Sequence, residues 1–258
     1  MWHFVLSNDQ ENIYSISSNE TYPPDTFLAI NTADFQVEAS LELDGGGFNS
    51  RPFELPDGSK LYALGGYDNG PVTVQVIATD SYTVQQTITF EEPGLVEGIS
   101  AGPYYPFAYD SNSHTLFAGA AHVVLVIDTD TDILKKVIYL QDVANAIGLD
   151  PQRFLYVNAI GLVYQPQENY LYITHLDRAF VSIYDLTNDQ FLPQVIPLSG
   201  FFPDFAFAND DCTRMYSLNA LSDNVSVIDL SSKVEESVID LHAYLWEAYL
   251  PVVLNALQ

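Results

Sequence analysis

Apolar and polar positions alternate in short runs along almost the whole chain, with almost no 3.6-residue period. One succession recurs. A strand ending in an apolar-Ile/Tyr-Asp triplet meets a polar turn and then a second alternating strand, as in Val126-Ile127-Asp128 leading to Val137-Ile138-Tyr139-Leu140. It joins Ile183-Tyr184-Asp185 to Val195-Ile196-Pro197-Leu198, and Val227-Ile228-Asp229 to Val238-Ile239-Asp240-Leu241. Weaker copies join Val76-Ile77-Ala78 to Thr87-Ile88-Thr89-Phe90, and Ala29-Ile30-Asn31 to Ala39-Ser40-Leu41-Glu42-Leu43. Upstream of each copy lies a strand with an aromatic at its second position. These aromatics, Tyr14, Tyr62, Phe117, Tyr172 and Tyr216, are spaced by 48, 55, 55 and 44 residues. Each such strand follows a polar turn (8–12, 56–60, 110–114, 166–169, 209–212), and each turn follows a short apolar strand (4–6, 52–55, 106–109, 162–164, 205–207).

Every repeat therefore holds four short strands joined by Asx- and Gly-containing turns, which specifies antiparallel meanders. A repeat of roughly 40 to 50 residues with four strands is the signature of a propeller blade, in which each sheet buries its faces against its neighbours. The expectation is an all-β fold, a β-propeller of four-stranded antiparallel blades. About five repeats are recognisable, near 1–44, 45–90, 91–140, 141–198 and 199–241. Residues 242–258 follow as a closing or intermolecular segment, with 244–250 compatible with one or two helical turns. The Asp of each Ile/Tyr-Asp triplet, Asp128, Asp185 and Asp229, is expected to cap a tight connection.

The run of apolar strand, Asp-Gly-type turn, Leu-Tyr-Val-like strand, polar loop and Val-Ser-Val-Ile-Asp resembles the YVTN-type β-propeller repeat of surface-layer and quinoprotein-like propellers. The best match runs over 205–241, where Asn224-Val225-Ser226-Val227-Ile228-Asp229 stands almost as that family writes it. The resemblance covers about five repeats, residues 1–241. It implies a fold rather than a reaction, because the matching residues build blades. Such propellers commonly carry seven blades and complete one from both termini. Here five repeats each read as complete, so two or so blades are missing or the ring is smaller.

Composition narrows the function. Eight Lys plus Arg stand against 34 Asp plus Glu, a formal net charge of −26, with a pI near 4.1. That field repels nucleic acid and anionic lipid, whose binding needs clustered cations. Charged residues make up only 16% of the chain, so the imbalance reflects a shortage of Lys and Arg and not an acidic tail. The 258 residues are enough for one large domain or two small ones. No apolar run reaches the roughly 18 residues of a membrane span, and Met1-Trp2-His3-Phe4-Val5-Leu6 does not read as a signal peptide. Cys212 is the single cysteine, a small turn residue, so neither a disulfide within the chain nor a cysteine zinc cage can form.

Candidate chemistry is sparse. Asp128, Asp130 and Asp132 mimic the start of a calcium loop, but Ile133 stands where its Gly belongs and Tyr139 where its last acid belongs. Calcium is the one cofactor left open. The five histidines, His3, His114, His122, His175 and His242, share no short metal-ligand spacing, although neighbouring blades could aim His122 and His175 at one axis. Adjacent acids such as Glu91-Glu92, Asp210-Asp211 and Glu235-Glu236 would face opposite sides of a strand and form no hydrolytic pair. The long connections at 91–105 and 141–160 carry Glu91, Glu92, Glu97, Asp142, Asp150 and Arg153 beside Tyr104, Tyr105 and Tyr156. Acids with aromatic neighbours suit a cation, a sugar or a basic peptide. In the final segment Tyr244, Trp246, Tyr249, Val252 and Leu254 are the assembly candidates.

The favoured function is a non-catalytic extracellular or surface module that binds a protein or glycan, or itself. Self-assembly through the terminal segments is the second reading. A lactonase- or quinoprotein-dehydrogenase-like enzyme with a divalent cation is the third. Sequons at Asn19 and Asn224 lend export slight support.

Overall fold

The computed structural model describes residues 2–17, 25–43, 51–66, 71–91, 107–120, 122–150, 159–175 and 178–241. Its twenty strands form five four-stranded antiparallel sheets, each ordered as the chain runs. The first sheet holds β1 (Trp2–Leu6), β2 (Asn12–Ser17), β3 (Asp25–Asn31) and β4 (Val37–Leu43). The second holds β5 (Phe53–Glu54), β6 (Lys60–Gly66), β7 (Val72–Ala78) and β8 (Thr83–Phe90). The third holds β9 (Phe107–Asp110), β10 (Thr115–Ala120), β11 (Val123–Asp128) and β12 (Ile133–Tyr139). After the short helix α1 (Asp142–Ala146), the fourth holds β13 (Ala159–Gln165), β14 (Tyr170–His175), β15 (Arg178–Asp185) and β16 (Gln190–Pro197). The fifth holds β17 (Pro203–Ala208), β18 (Arg214–Asn219), β19 (Asn224–Asp229) and β20 (Val234–Asp240). The four-strand repeat expected from the pattern is present in every sheet. No helix among the described residues is long and apolar enough to cross a membrane.

Turn chemistry sets the meander. Asp128 Oδ1 accepts the amides of Asp130 and Thr131, and Asp185 Oδ1 those of Thr187 and Asn188. Asp229 Oδ1 accepts the amide of Ser232 and both serine hydroxyls of its turn. All three are the Asx turn caps that the repeat pattern implies. A left-handed residue lies one or two positions before each fourth strand: Phe35, Tyr82, Asp132, Asp189 and Lys233 have φ between 47° and 58°. Each first turn likewise carries one left-handed residue, among them Gly58 and Cys212. Four- and five-residue hairpin loops need that conformation to return the chain antiparallel.

The chain divides into two compact units, Met1–Ile138 and Tyr139–Gln258. In the first, Tyr14, Ile16, Phe27 and Ala29 of the first sheet pack against Leu61, Ala63 and Ile77 of the second. Tyr62 of the second sheet donates its hydroxyl to Asp132 Oδ1 of the third at 2.5 Å, and Lys60 Nζ sits 2.6 Å from Asp132 Oδ2. In the second unit, Val163, Tyr172, Ile183 and Ile196 of the fourth sheet pack against Ala206, Met215, Ile228 and Leu230 near or within the fifth. Tyr172 donates to the Leu230 carbonyl at 3.0 Å. Tyr62 and Tyr172 thus reach from one sheet into the turn between the third and fourth strands of the next.

The fourth and fifth sheets meet closely at Gly161. A Cβ there would lie 2.6 Å from the Ala206 Cβ and 3.0 Å from the Ala206 backbone nitrogen. Gly161→Ala is expected to lower the urea-unfolding free energy by about 1–3 kcal/mol, through overpacking against backbone.

Candidate functional site

The connection from β16 to β17 is held rigidly over the fifth sheet. The Ser199 amide and hydroxyl both donate to the Glu235 carboxylate. Gly200 leaves room for Asn219, since a Cβ there would fall 2.2 Å from Asn219 Nδ2. Buried Asn219 in turn donates to Asn224 Oδ1 and Ser226 Oγ, both at 2.8 Å. Asn224, one of the sequon asparagines, is thereby engaged inside the hairpin. The Phe201 amide donates to Ser222 Oγ at 2.6 Å, while the amides of Ala220 and Leu221 donate to the carbonyls of Phe202 and Phe201.

This polar frame leaves two large apolar side chains outside. Phe201 is 66% exposed and Leu221 is 74% exposed, on adjoining backbone segments tied by the Leu221-to-Phe201 hydrogen bond. Scattered apolar side chains are ordinary on a surface, but two on a braced platform already have their backbone ordering cost met before a partner arrives. Such rigid anchors are the kind that dominate binding energy. Around them the surface is acidic, with Asp223, Glu235 and Asp240 in the same sheet region.

The first unit offers a cleft of about 510 Å³ lined by Asp9, Glu54, Asp57, Asp80, Tyr14 and Tyr82 among others. Burial holds the Glu54 carboxyl above its usual range, although the Asn8 amide donates to it at 2.6 Å. Two of its other acids serve their own turns: Asp9 accepts from Ser7 and Glu11, and Asp57 from Ser59.

The three candidate calcium ligands are not brought together. Asp128 is held at a pKa of about 2, first by the Lys135 ammonium, 2.8 Å away, and then by turn amides. Asp130 faces His114 Nδ1 at 2.7 Å, and the carboxylate raises the His114 pKa. Asp132 turns inward to Lys60 and Tyr62. Among the described residues no group of three or more His, Cys, Asp or Glu is arranged to hold a metal. His175 is fully buried in the fourth sheet, with Nε2 2.7 Å from Ser182 Oγ. Glu235 and Glu236 point apart, one to Ser199 and the other to Arg214.

Of the connection residues, Glu91 is exposed just after β8, Asp142 opens α1, and Asp150 is exposed beyond it. Glu92, Glu97, Tyr104, Tyr105, Arg153 and Tyr156 lie outside the described residues, as do Tyr244, Trp246, Tyr249, Val252 and Leu254. The pattern did not single out Phe201 or Leu221. The signal was available as Gly200-Phe201-Phe202-Pro203, two aromatics in a connection between strands.

Comparison with known proteins leaves the fold as the only shared property. No family model matches the chain, and no curated protein matches it. Among solved structures it is similar to Kuenenia stuttgartiensis hydrazine synthase, with a TM-score of 0.56 and 16% sequence identity. The similarity covers 77% of this chain and 50% of that one. The likeness is one of fold. The chain spans about half the length of the chain it matches.

Proposed function

We propose that this chain is a β-propeller of YVTN type, with the five sheets as blades, acting as a non-catalytic extracellular or surface binding module. The observation that carries this reading is the pair Phe201 and Leu221, exposed on a hydrogen-bonded platform where the chain passes between sheets. Connections of that kind are where propellers place their contacts. The ligand that fits is a protein segment with an apolar anchor and flanking basic residues, since the site is acidic and the whole chain carries −26. The resemblance to an enzyme is one of fold, and fold alone assigns no reaction.

The test is a random-peptide display selection on the intact chain, followed by titration of the selected peptides. Peptides combining apolar and basic residues are expected to dominate, and Phe201→Asp with Leu221→Asp should weaken them about 10-fold or more. Both positions are exposed, so the double variant should keep its melting temperature. Selected peptides that bind the double variant as well as the wild type would refute the site.

A further inference from the structure

We infer that the cleft between the first and second sheets is a site for an alkylammonium ion, carried by a small amine or by the lysine side chain of another protein. Every residue of the cleft lies in the first unit, so the inference is independent of Phe201 and Leu221.

A comparison of the repeats carries it. Three pairs of successive sheets fall inside one unit, and at each junction two positions lie beside one another: the residue that opens the second strand of one sheet, and the left-handed residue that precedes the fourth strand of the next. Between the second and third sheets these are Lys60 and Asp132, and between the fourth and fifth they are Tyr170 and Lys233. Both junctions hold an ammonium. Lys60 Nζ lies 2.6 Å from Asp132 Oδ2 and 3.0 Å from the Thr129 carbonyl oxygen. Lys233 Nζ lies 2.6 Å from Glu168 Oε2 and 5.2 Å from the centre of the Tyr170 ring. Their side chains are only 20% and 15% exposed, so each ion is largely withdrawn from water.

Between the first and second sheets the same two positions are Asn12 and Tyr82, and no Lys, Arg or His lines the cleft among the described residues. The acids are present without a lysine. Glu54 of β5 stands in the cleft wall, with Asp9, Asp57 and Asp80 exposed around it. Burial first, and then the charges of Asp9 and Asp57, raise the Glu54 pKa, a cost that a cation beside it relieves. The Tyr14 and Tyr82 rings meet edge to face at 6.4 Å and offer the kind of π surface that Tyr170 gives Lys233. Asn12 Oδ1, at the place of Lys60, is shielded from solvent and accepts no hydrogen bond from any described residue. An ammonium has three N–H donors, enough for that oxygen and the Glu54 carboxylate together. At about 510 Å³ the cleft also admits the alkyl chain behind the ion.

Isothermal titration calorimetry of the intact chain at fixed ionic strength tests this with 1,5-diaminopentane and with Nα-acetyl-lysine methylamide, against sodium chloride as the blank. At least one amine should bind at a single site with a Kd of about 1 mM or tighter. The tighter of the two tells a free amine from a lysine side chain as the natural source. Glu54→Gln keeps an oxygen for the Asn8 amide and should weaken binding about 10-fold or more. Asn12→Lys places an ammonium in the cleft, as Lys60 does one sheet later, and should abolish binding. Circular dichroism melting shows whether each variant folds. A wild type that binds neither amine overturns the inference. So does binding that either folded variant leaves unchanged, since that is attraction to the −26 charge at large.

Discussion

Tyr172→Ala is expected to lower the unfolding free energy by about 3–5 kcal/mol, the range for deleting a buried aromatic ring. Tyr172 is fully buried between the fourth and fifth sheets and touches the core formed by Val181, Ile183, Met215 and Leu230. Its hydroxyl is used as well, donating to the Leu230 carbonyl at 3.0 Å. Tyr172→Phe removes only that bond and should cost about 0.5–1.5 kcal/mol. Tyr216→Ala provides the internal comparison, because Tyr216 holds the same place in the next repeat and is only partly buried. That substitution should cost about 1 kcal/mol or less. Urea unfolding followed by circular dichroism separates the three. If Tyr172→Ala and Tyr216→Ala shift the midpoint equally, Tyr172 does not join the two sheets.

That comparison marks where the sequence is informative. The aromatic column Tyr14, Tyr62, Phe117, Tyr172 and Tyr216 is visible as a period, and the strands around it fall where the alternation places them. Asp128, Asp185 and Asp229 are legible because their partners lie two or three residues away. Asp132 misleads for the opposite reason. Its spacing from Asp128 and Asp130 imitates a calcium loop, while its partner Lys60 is 72 residues distant in sequence. No local pattern reports a contact of that range. The left-handed positions of Phe35, Tyr82 and Lys233 carry no residue-type signal either, because their conformation is imposed by the turn length. The helix α1, only five residues long, is too short to show a period. Phe201 and Leu221 read as hydrophobic residues among many. What sets them apart is a frame of hydrogen bonds from Ser199, Asn219 and Ser222, and that frame exists only once the sheet has formed.

The second large effect is a loss of stability in acid that traces to one imidazole. Burial, then the nearby Arg178 charge, lowers the His175 pKa to about 3. The ring is neutral in the folded chain, with Nε2 against Ser182 Oγ and Phe180 tilted beside it. Unfolded, it regains the usual value of about 6.5. Between those two values the unfolded chain binds more protons, so stability rises with pH across the window. The contribution is complete above about pH 6.5. As pH falls the loss should reach about 2 kcal/mol at pH 5 and about 4 kcal/mol near pH 3.5, levelling off below the folded value. His175→Gln keeps a neutral side chain able to bond Ser182 and has nothing to protonate. Its urea midpoint should therefore fall less steeply than that of the wild type from pH 6.5 to pH 4. The carboxylates held lowest, Asp128 and Asp229 at about 2, titrate beneath that window and are common to both proteins. Parallel midpoints for the two proteins across the window would show that His175 takes up its proton without unfolding, and that the pocket around Ser182 admits charge.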